Sequence, residues 1–461
     1  MRMHLTDRDK RRVGDRIRVV KEPVGPDRPA ERDPAVVATV SEMLVRIERE
    51  GMPAVLDYAA RLDGFTGTDL RVPDAELARA ADQVPAAVRA ALDTGAERTK
   101  RFAAMQRARL QDFEDEVVPG VVCGQKFVPV QNVGAYLPAG RFPLLASAFM
   151  TVGVARVAGV PNVVTCTPPS LNGRPHPAVL YAAQVSGAEA VYAVGGVQAL
   201  AAMAFGLLDG EPADMLVGAG NAYVAEAKRQ LYGRVGIDVL AGPSEVAVLA
   251  DDTADAAVVA ADLLAQAEHG PTSPACLITT SERLAAEVPV EVERQLAGLA
   301  TREIAGAAWR DHGSVYLAAD RETAAAAMDL LAPEHLEVLA EDLDWWLGAL
   351  HNYGSLFLGT WSTVVYADKG MSGTNHVLPT ARGAKHTGGL SVAGFLKQLT
   401  YQRATREATR TQAEPTVAVS HFEALVGHRD SAQLRLDMIA EADVSDSMHA
   451  YEQLTTTQTG R

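Results

Sequence analysis

The sequence predicts an α/β fold built on parallel sheets, and three observations carry that reading. From about residue 130 onward, short β-branched runs recur: NVGAYLP, NVVTCTPP, AVYAVGG, DMLVGAG and GIDVLAG. Ala-rich helical segments separate them, which is the pattern of parallel strands joined by right-handed helical crossovers. The runs end in glycines and polar residues, at Tyr136 to Gly140, at Gly195-Gly196 with Gln198, and at Gly218-Ala219-Gly220-Asn221. Ligands of such sheets collect beyond the carboxyl ends of the strands, where these turns fall.

At 461 residues the chain is long enough for two or three domains, each with its own core. Its 43 basic and 58 acidic residues leave a net charge of −15, which makes it a poor binder of phosphate backbones and argues against a nucleic-acid partner. Cys123, Cys166 and Cys276 are far apart and form no C-x-x-C pair. That usage suits a reducing cytoplasm and leaves no cysteine-rich zinc knot. The charged start, MRMHLTDRDKRRVGDRIRVV, lacks the apolar stretch of a signal peptide. With no uninterrupted apolar run of about 18 residues, no membrane span is expected.

In order, residues 1–35 are charged and carry Pro23, Pro26, Pro29 and Pro34, which predicts an arm with little core of its own. From Pro34 to Arg109 apolar residues recur at helical spacing, as in VVATVSEMLVRIERE, with Pro53, Pro73 and Pro85 near helix starts. After the five strand–turn units comes GPSEVAVLADDTADAAVVAADLLAQAEHGP, beginning at Gly242. Here Val246 to Ala250 reads as a buried strand, Asp252 or Thr253 as the cap of the next helix, and Gly270-Pro271 as its stop. ACLITT, SVYLA and SLFLG read as further strands, and LLAPEHLEVLA as a helix starting after Pro333. The tail from about 389 is helical and mixed in charge, and its last residues, TTTQTGR, read as disordered.

Several of these stretches hold side chains suited to chemistry. Gln266 and His269, three apart near a helix end, leave the same face; they either meet one ligand or satisfy local backbone groups. The adjacent Glu334 and His335 are either two groups around one substrate or a first-turn acid beside a surface histidine. The G-A-G-N turn lacks the third glycine of a dinucleotide fingerprint, Tyr223 standing there, so a tight turn and a phosphate contact are both open. The loop YADKGMSGTNHVLPT, with Asp368 and His376, has the polarity of a site loop. In HFEALVGHRD the spacing of Glu423 and His428 identifies no metal site by itself.

Taken together, GNAYVAEAKR, AGPSEV, DLLAQAEHGP, PEHLE, SGTNHVLPT and E-x-L-x-x-H resemble the histidinol dehydrogenase family, in the family's order, over residues 130 to 430. The resemblance implies two parallel-sheet Rossmann-like domains, a helical N-terminal arm and a small C-terminal dimerisation segment. Its boundaries place the arm at 1–35, a first α/β domain with metal and catalytic residues at 36–133 and 244–388, an inserted NAD-binding domain at 134–243, and the dimerisation segment at 389–461. It also implies one zinc ion per subunit, NAD, and oxidation of a primary alcohol through an aldehyde to a carboxylate. Carried over by motif, Gln266, His269, Asp368 and His428 would bind the zinc, and Glu334 and His335 would be the acid–base pair. Tyr136, Gln198 and Asn221 match NAD-contacting positions. Ser244, His335, His376 and Glu423, with the four metal ligands, match the substrate site. The family's C-terminal segment crosses to a partner subunit, so a homodimer with Glu423 and His428 completing the neighbour's site is implied.

The stretch GAYLPAGRFPLLASAFMTVGVARVAGV looks more like family paralogues such as the sulfopropanediol dehydrogenases, which oxidise small anionic diols, and NGRPHPAV, HGPTSPA, AWRDHG and HTGGLSVAGFLKQLTYQ point the same way. Arg141 either meets the anionic group or is an exposed surface arginine. A small anionic diol is therefore the expected substrate, L-histidinol its competitor, and a non-catalytic zinc- or nucleotide-binding homologue the remote alternative.

Overall fold

The computed structural model describes residues 3–24, 33–139, 143–170, 173–208 and 210–458. Arg141 lies outside them. Two compact units emerge, one of Met1–Arg109 with Pro129–Leu396, the other of Leu110–Val128 with Lys397–Arg461.

The first unit opens with α1 (Asp7–Val13), capped by a reciprocal Thr6–Asp9 box, and β1 (Ile17–Lys21). α2 (Pro34–Glu50), α3 (Met52–Asp63), α4 (Asp74–Arg79) and α5 (Ala86–Arg107) follow, with Pro34 and Pro53 in first turns, where a missing N–H costs no bond. In the second unit β2 (Phe113–Val118) and β3 (Val121–Pro129) form an antiparallel pair.

Back in the first unit, β4 (Asn132–Tyr136) leads through a buried π-turn at Phe149–Gly153 into α6 (Val154–Ala158). β5 (Asn162–Thr167), α7 (Pro177–Ser186), β6 (Ala190–Ala193), α8 (Gly196–Ala204), β7 (Met215–Val217), α9 (Ala222–Leu231) and β8 (Gly236–Ile237) complete this set. The five strands are parallel and ordered β6-β5-β4-β7-β8. The strand order therefore reverses between β4 and β7, which opens a crevice beyond their carboxyl ends. By their contacts α2, α3 and α5 belong with this sheet, since α2 and α3 pack on α8 and α5 packs on α6 and α7.

The next set repeats the plan. β9 (Val246–Ala250), α10 (Ala256–Ala267), β10 (Ala275–Thr279), α11 (Glu282–Leu296), α12 (Arg302–His312), β11 (Ser314–Ala318), α13 (Arg321–Leu331), β12 (His335–Leu339), α14 (Leu343–Ala349), β13 (Ser355–Leu358) and α15 (Val364–Asp368) make a sheet ordered β1-β11-β10-β9-β12-β13. All its pairs are parallel except β1 on β11. Side chains alternate between its faces, so Val246, Val248, Leu277 and Val315 meet α10, α11 and α12 while Ala247, Leu249, Ile278 and Tyr316 meet the opposite layer. Both faces are covered, and each fully buried Leu or Val adds about 1.5–3 kcal/mol.

Several sequence expectations change here. The arm is not coreless: Leu5 is buried and its N–H donates to the Tyr316 hydroxyl (3.1 Å), while β1 closes the free edge of β11. Asp255, not Asp252 or Thr253, caps α10 by accepting from the Ala257 N–H. HLEVL after Pro333 is the strand β12, because its backbone completes a parallel ladder with β9 and β13.

The second unit adds β14 (Leu396–Ala404) beside β3, then the helices α16 (Arg406–Phe422) and α17 (Val426–Gln458), which pack on each other. Most of the TTTQTGR tail thus continues α17, and 459–461 lie outside the described residues. Among the described residues no helix is long and apolar enough to cross a membrane.

Candidate active site

In the six-stranded sheet the polar cluster gathers at the amino ends of the strands, opposite to the edge where ligands of such sheets usually sit. Ser244 and Glu245 immediately precede β9, and Glu334 and His335 open its neighbour β12, with His335 opposite Val246 in register. α10 runs back across the sheet and delivers Gln266 and His269 to the same edge.

A network of hydrogen bonds fixes these groups. The Glu334 carboxylate accepts from the Ser244 hydroxyl (2.8 Å) and the Glu245 N–H (2.9 Å), while the Glu334 N–H donates to the Glu245 carboxylate (3.3 Å). Gln266 donates its amide N–H to Ser244, which leaves its carbonyl oxygen for another partner. Burial pushes the Glu334 carboxyl up to about 8, helped by the charge of Asp368, so near neutrality it can hold or release a proton.

His335 is buried and its Nδ1 lies 2.9 Å from the Glu245 carbonyl and 3.4 Å from Glu334 Oε2. Both neighbours are acceptors, so Nδ1 carries the proton and Nε2 holds a lone pair. Nε2 is buried and has no hydrogen-bond partner among the described residues. Desolvation holds the ring below the usual imidazole value, outweighing the attraction of Asp368, which keeps it neutral and ready to accept a proton.

Asp368 ends the short helix α15, and its Oδ2 lies 3.4 Å from His269 Nε2. His376 Nδ1 donates to the Asp368 carbonyl (3.3 Å) and lies 3.9 Å from its Oδ1. Burial alone would raise the Asp368 carboxyl, but the His269 bond and the nearby imidazoles pull it well below the usual carboxylate range. The Asp368 partnership in turn raises His269. The loop after α15 is tied down where Arg98 donates to the Met371 carbonyl (2.8 Å) and Asn375 to that of Met150 in the π-turn (2.8 Å).

Among the described residues no three His, Cys, Asp or Glu side chains stand together as a metal cage. Two do meet, His269 and Asp368 at 3.4 Å, and with the amide oxygen that Gln266 leaves unbonded to Ser244 they are the nitrogen and oxygen donor types that a zinc ion would accept. Such a set leaves positions open for substrate. Glu423 and His428 belong to the second unit, at the end of α16 and in the first turn of α17.

Tyr136, Gln198 and Asn221, the residues expected to contact NAD, lie at the carboxyl edge of the five-stranded sheet. Tyr136 ends β4 and its hydroxyl accepts from the Gly196 N–H (3.3 Å). Gln198 donates to Asp63 (2.9 Å), and its own amide oxygen is buried without a partner among the described residues. Asn221 caps α9, its side chain accepting from the N–H groups of Tyr223 and Val224. An unfilled buried acceptor beside glycine turns at the strand-order reversal is a fitting place for a dinucleotide.

Some functional groups carried no sequence signal. Asp63, at the end of α3, holds both Gly195 N–H (2.9 Å) and Gln198. Glu337 in β12 accepts from the Val364 N–H at the start of α15 (2.7 Å), and Asp262 accepts from the Thr363 hydroxyl that caps it (3.1 Å). Glu337 and Asp262 also face each other, and desolvation with the Asp262 charge pushes Glu337 up to about 8, so a proton lies between two acceptors. The pair anchors the one-turn helix that carries Asp368. Glu337→Leu, which strands that N–H and Asp262, is expected to cost about 2–5 kcal/mol, whereas Glu337→Gln mimics the protonated acid and keeps the fold. A folded value above the unfolded 4.5 gives stability that is full below about 4.5 and lost as pH rises through about 8. Thermal melts should therefore find the parent's advantage over Glu337→Gln largest near the acidic end and gone in mild alkali; a constant offset would contradict the shared proton.

Fold and site together define an α/β protein with two doubly wound sheets, a buried Glu334–His335 pair near the His269–Asp368 contact, and glycine turns at the strand-order reversal of the smaller sheet. Comparison with known proteins gives that class its family. Residues 26–436 match the histidinol dehydrogenase family, and the chain belongs to it. Members are NAD-dependent oxidoreductases acting on CH–OH donors. The chain is 48% identical over 403 residues to "sulfopropanediol 3-dehydrogenase" of Ruegeria pomeroyi, covering 87% of this chain and 92% of that one. It is 40% identical over 405 residues to "histidinol dehydrogenase" of Rhizobium meliloti, covering 87% and 92%. The crystal structure of histidinol dehydrogenase from Elizabethkingia anophelis superposes with a TM-score of 0.84 at 34% identity, covering 90% of this chain and 95% of the other.

Proposed function

We propose that this chain is a zinc- and NAD-dependent dehydrogenase that oxidises a small anionic diol, of the sulfopropanediol kind, at its primary alcohol to the carboxylate. The observation that carries the chemistry is His335 Nε2, a buried, neutral, unpartnered base whose tautomer is set by the Glu245 carbonyl. The substrate class rests on the higher identity to the sulfopropanediol enzyme than to the histidinol enzyme of Rhizobium meliloti.

Zinc on Gln266, His269 and Asp368, with His428, would fix the substrate's oxygens and stabilise charge on them. Two molecules of NAD, bound in succession at Tyr136, Gln198 and Asn221, would each accept one hydride. His335 takes the hydroxyl proton as the first hydride leaves carbon, giving the aldehyde. Glu334 takes a proton from water as the water oxygen adds to that aldehyde, and the hydrate gives up its second hydride while one of its hydroxyl protons passes to His335, which has by then released the first, leaving the acid. Ser244 and His376 line the same edge and hold the substrate's polar end. Glu423 and His428 complete the site of a partner subunit in a homodimer, and recovery of activity on mixing inactive variants is the signature of such sharing.

Steady-state assays with zinc, NAD and either sulfopropanediol or L-histidinol decide the substrate. Turnover of the sulfonate diol with the higher kcat/KM is the expected result. Efficient oxidation of histidinol with none of the diol would reverse it.

A further inference from the structure

A buried ion pair stands behind the turn at the end of β7. Lys228 on α9 and Asp238 just after β8 have side chains 2% and 0% exposed. The Lys228 ammonium donates to the Gly218 carbonyl (3.0 Å), to the Val239 carbonyl (2.7 Å) and to the Asp238 carboxylate. The second Asp238 oxygen accepts from the Gly218 N–H (2.7 Å). Both polar groups of the Gly218 backbone are thus held by one pair of side chains.

We propose that Lys228 and Asp238 are positioning residues for dinucleotide binding, clamping Gly218 so that the Gly218–Asn221 turn stays open toward the β4–β7 crevice. The proposal rests on the reading above that this turn receives NAD. Three features of the geometry support it. Gly218 has φ +117, and a Cβ there would lie 2.1 Å from the Tyr136 carbonyl, so the turn lies close against the neighbouring strand at a position only glycine fits, and glycine's own freedom does not fix its direction. The other end of the turn is fixed separately, by Asn221 on the N–H groups of α9. An ammonium has three protons, and all three are used, so Lys228 has none left for a phosphate and must act through the turn.

Stability is a weak reason for such a pair. Removing two charges from water offsets most of their attraction, and apolar side chains of similar volume commonly serve as well or better. What apolar side chains cannot do is donate to the Gly218 carbonyl and accept from its N–H. That difference gives the test.

In the full-length protein, NADH binding is followed by its fluorescence in the parent, in Asp238→Asn and in the double variant Lys228→Met with Asp238→Leu. The double variant leaves the Gly218 and Val239 backbone groups unpaired, so it is expected to melt below the parent and, where folded, to bind NADH about tenfold or more weakly, the equivalent of about 1.4 kcal/mol. Asp238→Asn keeps an acceptor for the Gly218 N–H and loses the charge, so a smaller loss of about three- to tenfold is expected, and it serves if the double variant does not fold. In turnover, KM for NAD should rise more than kcat falls. NADH affinity within about twofold of the parent in the folded variants overturns the clamp. Absence of NADH binding by the parent itself overturns the reading of the turn and the inference with it.

Discussion

His335→Asn is expected to lower kcat by about 10²- to 10⁴-fold, the usual contribution of a placed general base, with little change in KM. The argument runs from position to proton. Opening β12, the ring is buried, its Nδ1 proton is spent on the Glu245 carbonyl, and Nε2 has no other task. Because burial holds the ring below the usual imidazole value, the parent should lose kcat/KM only as pH falls beneath that value, when Nε2 is protonated. In His335→Asn that acid limb should vanish and the residual rate should climb with hydroxide. Glu334→Gln acts at the other half of the reaction. Its amide cannot take the water proton, so the first hydride still leaves, aldehyde accumulates, and NADH per alcohol falls toward one. Unchanged kcat in both variants would remove the acid–base assignment.

Asp368→Ala is expected to abolish turnover and to leave purified protein with at least about 100-fold weaker zinc binding, beyond the 10- to 100-fold typical of losing an outer-shell partner. His269 and His376 lie within 4 Å of this carboxylate, which stays ionised and so offers a cation a charged oxygen ligand. His428→Ala should be equally inactive if the second unit supplies a ligand. If, as proposed, one partner contributes Asp368 and the other His428, mixing the two variants under conditions that exchange subunits restores one intact site per mixed dimer. No recovery after confirmed exchange would place His428 outside the shared site. Direct zinc titration gives the metal result independently of activity.

What the sequence revealed and what it hid follow a physical division. Local features were legible: the i,i+3 spacing of Gln266 and His269 at a helix end, the strand-end turns carrying Tyr136, Gln198 and Asn221, and the motif strings that resemble one family. Contacts distant in sequence were not. Asp63 reaches Gly195 across 132 positions, and Glu245 meets Glu334 across 89, with nothing in either local pattern to announce it. β12 was misread as helix because Glu337, a buried acid in the middle of a strand, breaks the apolar run that marks a central parallel strand. Its partner Asp262 removes the cost of that acid, and only the fold brings the two together. The N-terminal stretch was misread because its prolines and charges outweighed Leu5 and the short edge strand they accompany.

The edge used by the site is the largest departure from expectation. The six-stranded sheet presents its acid–base pair at the amino ends of its strands, while the five-stranded sheet presents its turns at the carboxyl ends. In the proposed reaction the first edge would hold the alcohol and the second the nicotinamide.

The measurement that reaches furthest into this chemistry is the amount of NADH formed from a limiting quantity of the anionic diol by the zinc-loaded enzyme, with the product identified. Two NADH for each alcohol, with the carboxylate as the end product, is the outcome expected of one site that removes both hydrides. A single NADH with free aldehyde, or none at all, would contradict it.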